Sequence, residues 1–160
     1  YQLPIPPSPN LPNMKSIYLY PSTCFFEATP VSLGRGTSLP FQVYGHPNMT
    51  GYNYSFTPRS IPGAKNPPQL NKLCHGVDLS NMSDEEIWKR GVDLTYVIDA
   101  YRNLNLDDHF FRPFFELLVG RDYVRKMIKE GKSADEIKAM WKGDVEKFKA
   151  QRKPYLLYEE

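Results

Sequence analysis

The sequence predicts an α+β fold, in which several helices pack on a small, mostly antiparallel sheet behind a proline-rich extended N-terminal segment. Three observations predict it. Two Ser-x-x-Glu capping boxes, Ser83–Glu86 and Ser133–Glu136, open runs of helical period in the second half. Short aromatic and β-branched runs at 41–44, 54–57 and 73–77 sit between turn residues. Composition also changes near residue 68. Thirteen of the 15 prolines lie in residues 1–68, but only five charged side chains do: Lys15, Glu27, Arg35, Arg59 and Lys65. Strands first and helices afterwards, without βα alternation, is the order of an α+β domain.

Residues 1–12 read as an extended linker, because prolines at 4, 6, 7, 9 and 12 forbid a helix. Residues 13–80 form a charge-poor mixed part and 81–160 a helical part. In the mixed part, Met14, Ile17, Tyr18 and Leu19 predict a short helix that stops before Pro21. Pro21 suits the first turn of a second short helix through Cys24, Phe25 and Glu27. Gly34-Arg35-Gly36 reads as a turn, followed by strands at Phe41–Tyr44, Tyr54–Thr57 and Leu73–Val77. Beyond Ser83, one helix interrupted at Gly91 puts Ile87, Leu94, Ile98 and Tyr101 on a single face. Phe114–Val119 and Arg121–Glu130 are short helices closed by Gly120 and Gly131. The helix from Ser133 carries Ile137, Trp141, Val145 and Phe148 on one face and ends before Pro154. Tyr155-Leu-Leu-Tyr158 reads as a closing strand or packed tail, and Trp88 and Trp141 as core.

The composition excludes several classes of function. A net charge of +2 supplies no electrostatic case for nucleic acid or an anionic membrane. No apolar run approaches the roughly 20 residues that span a bilayer. The chain begins at Tyr1 and shows no signal peptide, so it reads as a processed form or a fragment. Cys24 and Cys74 read as two buried thiols, with a single disulfide as the alternative in an oxidising compartment. Their spacing, and that of His46, His75 and His109, suggests neither a metal site nor a nucleophile–histidine pair.

Glu27 is the only carboxylate in the first 68 residues, and its neighbours are apolar. Such a group loses hydration, which favours the protonated acid. Three roles stay open for it: general acid, hydrogen-bonding ligand of sugar hydroxyls, or structural partner of Arg35 or Arg59. Arg35 stands between two glycines that let the backbone approach a partner closely, and its guanidinium forks onto carboxylates or phosphates. Thr37 adds a hydroxyl. Tyrosines such as Tyr20, together with Asn10, Asn48 and Asn53, suit sugar recognition by stacking and amide hydrogen bonds, although each also suits ordinary packing.

These residues lie in a wider pattern. Pro7-Ser-Pro-Asn-Leu-Pro12 is followed by Tyr20-Pro-Ser-Thr-Cys-Phe-Phe-Glu27, then Gly34-Arg-Gly-Thr37 and Pro40-Phe41. Cys74-His-Gly-Val77, Gly131-Lys-Ser133, Arg152 and Tyr155-Leu-Leu-Tyr158 come later. Over nearly its whole length the chain resembles the C-terminal part of the bacterial NamZ-type exo-β-N-acetylmuramidase family. The resemblance implies a single C-terminal domain, residues 1–160, of a larger two-domain protein. The missing partner would be an N-terminal Rossmann-like domain, with the glycan cleft between the two. It further implies hydrolysis of non-reducing terminal N-acetylmuramic acid from peptidoglycan fragments, no cofactor or metal, and an extracytoplasmic location. On this reading Glu27 is the catalytic candidate, and Arg35, Thr37, Asn10 and Tyr20 are the substrate-binding ones. A non-catalytic cell-wall glycan-binding or structural module is the alternative. The chain departs from the family pattern twice. Glu27-Ala28-Thr29-Pro30 stands for Glu-Gly-Thr-Asn, and Gly45-His46-Pro47-Asn48 for Gly-Ala-Pro-Trp, which removes an aromatic surface for stacking on sugar.

Overall fold

The computed structural model describes residues 2–158. Six helices surround a three-stranded antiparallel sheet: α1 (Met14–Thr23), β1 (Val43–His46), β2 (Tyr54–Phe56), β3 (Cys74–Asp78), α2 (Asp84–Arg90), α3 (Thr95–Leu104), α4 (Phe115–Val119), α5 (Tyr123–Lys129) and α6 (Ala134–Arg152). The fold class is the one the sequence predicts. Among the described residues before α1 there is no helix, and the segment contains a turn closed by the Leu11 N–H on the Ser8 carbonyl.

The sheet has the order β1-β3-β2, with β3 central and antiparallel to both neighbours. Tyr44 pairs with Val77 and His46 with His75. Ser32 and Gly45 exchange backbone hydrogen bonds of 2.8 and 2.9 Å, so the outer side of β1 is covered by the chain that precedes it. A covered edge offers no template for pairing with another molecule.

Four local expectations are corrected. The first helix does not stop before Pro21 but runs through it to Thr23, and a 3-10 turn, Cys24–Ala28, follows directly. Proline removes one helical hydrogen bond, but the turn around it is held from both sides. Leu19, Ser22 and Thr23 are buried, and the Thr23 hydroxyl donates to the carbonyls of Leu19 and Phe41 at 3.0 and 3.3 Å. The second correction concerns Gly91. It splits the predicted long helix into α2 and α3, since its φ of 60° and ψ of −135° cannot continue a helix. The third concerns what the apolar faces meet. Trp88 is 61% exposed and meets the Tyr18 ring edge-on at 5.2 Å. Along α6, Ile137 is buried, Trp141 is half-buried, and Val145 and Phe148 are exposed. The face lines an open groove of about 760 Å³ against Pro21, Phe25 and Leu118 instead of closing over them. Nor is Tyr155–Tyr158 a strand. A 3-10 turn, Lys153–Tyr155, leads into an exposed tail.

One core draws on both halves of the chain, from Leu19, Phe25, Phe26 and Tyr44 to Val97, Phe110, Phe115, Val124 and Ile137. Val43, Phe56 and Cys74 make a smaller cluster on the sheet. Both cysteines are free and buried, one in each cluster. A second tie between the halves is polar. Asp93, 4% exposed, receives hydrogen bonds from the amide and hydroxyl of Thr95 at 2.8 and 2.6 Å and from Arg90 at 3.2 Å. Its own N–H donates to the Ser22 hydroxyl, which donates in turn to the Gly91 carbonyl. This network fixes the α2–α3 break onto the end of α1.

Two predictions follow from this arrangement. Helix α6 buries only Ala134 and Ile137, so it leans on the reciprocal capping box between Ser133 and Glu136. Ser133→Ala is expected to cost about 1 kcal/mol, read as a lower denaturation midpoint with reduced helical circular dichroism. Asp93→Asn is expected to cost about 1–3 kcal/mol, the range for leaving buried polar partners unsatisfied. Burial pushes the Asp93 carboxyl upward, but the Thr95 hydrogen bonds and Arg90 more than reverse this and hold it below the ordinary 3.8. Its contribution is therefore full above pH 3.8 and fades as pH falls through the depressed folded value. Unfolding titrations of both proteins should converge at that acid end.

Candidate functional site

The 3-10 turn at 24–28 sets Glu27 by locking its neighbours inward. Phe25 meets Phe115 of α4 at 6.2 Å, and Phe26 stacks on Tyr44 of β1 at 4.8 Å. Cys24 and Ala28 are buried as well. The Ala28 carbonyl accepts the Arg112 N–H at 2.9 Å, which closes the end of the turn. Glu27 alone points outward, with its side chain 23% exposed.

Arg35 reaches it from a loop that only glycine permits. Gly34 and Gly36 have φ of 81° and 82°, where side chains are strained. A Cβ on Gly34 would lie 2.4 Å from the Leu39 carbonyl oxygen, and one on Gly36 would lie 2.4 Å from that of Arg59. The close approach that the glycines allow is thus to the protein's own backbone, and it aims the residue between them. Arg35 Nη1 lies 3.3 Å from Glu27 Oε1, with 37% of the arginine side chain exposed. Of the two arginines that could pair with Glu27, it is therefore Arg35 that does. Arg59 instead donates to the Asn71 side chain at 3.1 Å.

Beneath the pair lies an aromatic floor. The Arg35 guanidinium carbon sits 5.9 Å from the centroid of the Phe41 ring, and the Tyr20 ring meets Phe41 at 5.1 Å. Arg35 Nε is buried against this floor without a hydrogen-bond partner. Phe41 does not begin a strand as its sequence context predicts. Its φ is 61°, the left-handed region, and regular pairing starts at Val43. That conformation costs a residue with a Cβ about 1–2 kcal/mol. It persists because the Phe41 N–H donates to the Leu33 carbonyl at 2.7 Å and its carbonyl accepts from Thr23. A bulky residue with positive φ leaves no mark in the sequence, so Phe41 escapes a reading based on residue type.

The other predicted site residues divide. Tyr20 joins the cluster, 37% exposed. Burial raises its phenol, and the charge of Glu27 adds to the effect. Thr37 belongs to the same loop but serves the loop itself. Its hydroxyl donates to the Gly34 carbonyl at 2.7 Å and accepts from the Leu39 N–H at 3.0 Å. Asn10 is buried and its amide donates to the Gly63 carbonyl at 3.0 Å, which anchors the N-terminal segment to another loop and makes no contact with Glu27 or Arg35. Cys24, beside Glu27, is no nucleophile in this state. Burial and then Glu27 push its thiol up to about 11. Among the described residues, no three His, Cys, Asp or Glu side chains gather as a metal ion would need.

What remains is a half-exposed ion pair on an aromatic bed, drawn from a sequence stretch with only three other charged side chains. Such a surface can accept hydrogen bonds through Glu27, donate them through Arg35 to an anion, and stack against an apolar ring face.

Comparison with known proteins identifies the family of the chain. Residues 18–158 match the family described as exo-β-N-acetylmuramidase NamZ, C-terminal. The chain is 33% identical over 167 aligned positions to the peptidoglycan β-N-acetylmuramidase NamZ of Bacillus subtilis (strain 168), an alignment that covers 95% of this chain and 40% of that protein. It also superposes with a TM-score of 0.98, at 83% identity, on the crystal structure of a DUF1343 family protein from Bacteroides fragilis NCTC 9343, over all of this chain and 45% of that one. The chain spans less than half the length of either relative. On these matches, and as its sequence motifs imply, the chain belongs to the exo-β-N-acetylmuramidase NamZ family, as the family's C-terminal part.

Proposed function

We propose that this chain forms one wall of the glycan cleft of a peptidoglycan exo-β-N-acetylmuramidase, with Arg35 turned to the lactyl carboxylate of a terminal N-acetylmuramic acid. The observation that carries the proposal is the Glu27–Arg35 pair. It is solvent-accessible, with its ionic groups 3.3 Å apart, and lies in a stretch with three other charged side chains among 68 residues. An exposed pair of this kind adds only about 0–1 kcal/mol to stability. Stability alone is therefore a weak reason for placing it on a loop that only glycines allow.

The lactyl carboxylate is what separates muramic acid from glucosamine, and a guanidinium fork is the side chain that reads a carboxylate best. Glu27 holds the guanidinium from one side and offers acceptors to sugar hydroxyls, while Tyr20 supplies an aromatic surface at the rim. On this reading Glu27 is a binding residue, and the proton donor of the hydrolysis belongs to the part of the protein outside this chain. The substrate would then place the protein outside the cytoplasmic membrane.

Two substitutions in the longer protein that carries this segment test the reading. Arg35→Ala is expected to lower kcat/KM on muramic-acid-terminated fragments about 10–100-fold, the worth of a charge-assisted hydrogen bond. Glucosamine-terminated analogues should lose far less, and equal losses on both would remove the carboxylate role. Glu27→Gln is expected to act mainly on KM. A fall in kcat of about 10²–10⁴-fold, the range for losing a general acid, would make Glu27 the proton donor instead.

A further inference from the structure

We infer that Phe41 is a positioning residue for substrate recognition, its ring fixing the direction in which the Arg35 guanidinium meets an anionic ligand. The inference rests on the reading that Arg35 binds the substrate's carboxylate.

A guanidinium held by a single ion-pair contact can pivot about it. Arg35 has one such contact, Nη1 to Glu27 Oε1 at 3.3 Å. The ring of Phe41 supplies the second constraint, 5.9 Å below the guanidinium carbon. Arg35 Nε is shut in without a hydrogen-bond partner, so no polar contact from that atom orients the side chain. Pivoting toward the floor is blocked by the ring, and pivoting away loses the cation–π attraction.

The backbone indicates that the ring is wanted at that place. Phe41 holds φ at 61°, which glycine adopts without strain and an aromatic residue does not. Ordinary packing would be served by a conformation without strain, and strain of this kind collects where function over-determines a position. Two hydrogen bonds enforce it, from the Phe41 N–H to Leu33 and from Thr23 to the Phe41 carbonyl. The Tyr20 ring, tilted 51° at 5.1 Å, closes the side of Phe41 and prevents the ring from swinging out from under Arg35. Phe41 and Glu27 thus form two sides of a seat for one guanidinium, with Tyr20 bracing the ring, and the seat leaves its outer edge to solvent.

The test compares Phe41→Leu, Phe41→Tyr and Arg35→Ala in the longer protein, on fragments ending in N-acetylmuramic acid and on N-acetylglucosamine analogues that lack the lactyl group. Phe41→Leu is expected to raise KM for the muramic-acid fragment about tenfold, as misorientation of a binding group does, and to change the glucosamine analogue much less. Phe41→Tyr, which keeps the ring, should restore most of the loss. If Phe41→Leu fails to fold, Phe41→Met provides the same readout with an unbranched side chain of similar size. Equal changes on the two substrates would reduce Phe41 to a packing residue and overturn the inference, as would an unchanged KM. If Arg35→Ala discriminates between the substrates and Phe41→Leu does not, the positioning role falls and the carboxylate reading stands. If Arg35→Ala does not discriminate, both fall.

Discussion

The ring of Tyr44 stacks on Phe26 at 4.8 Å and tilts against Tyr96 at 5.9 Å, while its hydroxyl donates to Asp99 at 2.8 Å. Three elements distant in sequence meet at this side chain: the 3-10 turn that carries Glu27, the strand β1, and the helix α3. Tyr52 donates to the same Asp99 oxygen at 2.8 Å, so the carboxylate is anchored by two phenols. Burial and the adjacent carboxylate push both phenols upward, which keeps them protonated and able to donate. Removing this contact would take away one of the ties between the charge-poor half and the helical half, beside the shared core and the Ser22–Asp93 network. The site depends on it at second hand, because Phe26 and Phe25 must both be held inward for Glu27 to face out.

The first half is poor in charge along the sequence. Glu27 and Arg35 are two of the five charged side chains in residues 1–68, and they pair with each other. Most ion pairs of the second half, such as Arg121–Asp144 and Lys132–Glu136, lie on exposed helix surfaces where water and salt weaken them. The charges of the chain are thus sorted into two uses. Many solvate helices, and two are set into a polar and aromatic surface where each counts.

What could be read from the sequence was local. The Ser133 capping box, the Ser83 cap and the glycine stops at 120 and 131 act within one turn of chain, and the structure contains each of them. The three strands fall close to the predicted runs for the same reason. The misreadings needed information from elsewhere in the chain. Pro21 ends a helix unless tertiary contacts hold the turn around it, and Thr23 and Leu19 provide those contacts. The period of Ile137, Trp141, Val145 and Phe148 announces an apolar stripe but says nothing about what covers it. For the site, residue type pointed to Glu27 and Arg35, whereas the choice between Arg35 and Arg59, the inward turn of the Thr37 hydroxyl and the raised floor at Phe41 are facts of three-dimensional closure.

The two cysteines add a property of a different kind. Both are buried, and both thiols are pushed to about 11. Little of either thiol is in the reactive thiolate form near neutral pH. Alkylating reagents would therefore meet inert sulfur for as long as the fold stays shut. Cys24 lies in the wall of the groove between the 3-10 turn and α6, and Cys74 in the central strand. The chain thus carries two built-in timers on separate parts of its architecture. The order in which they react would distinguish a loosening beside the Glu27 turn from a rupture of the sheet.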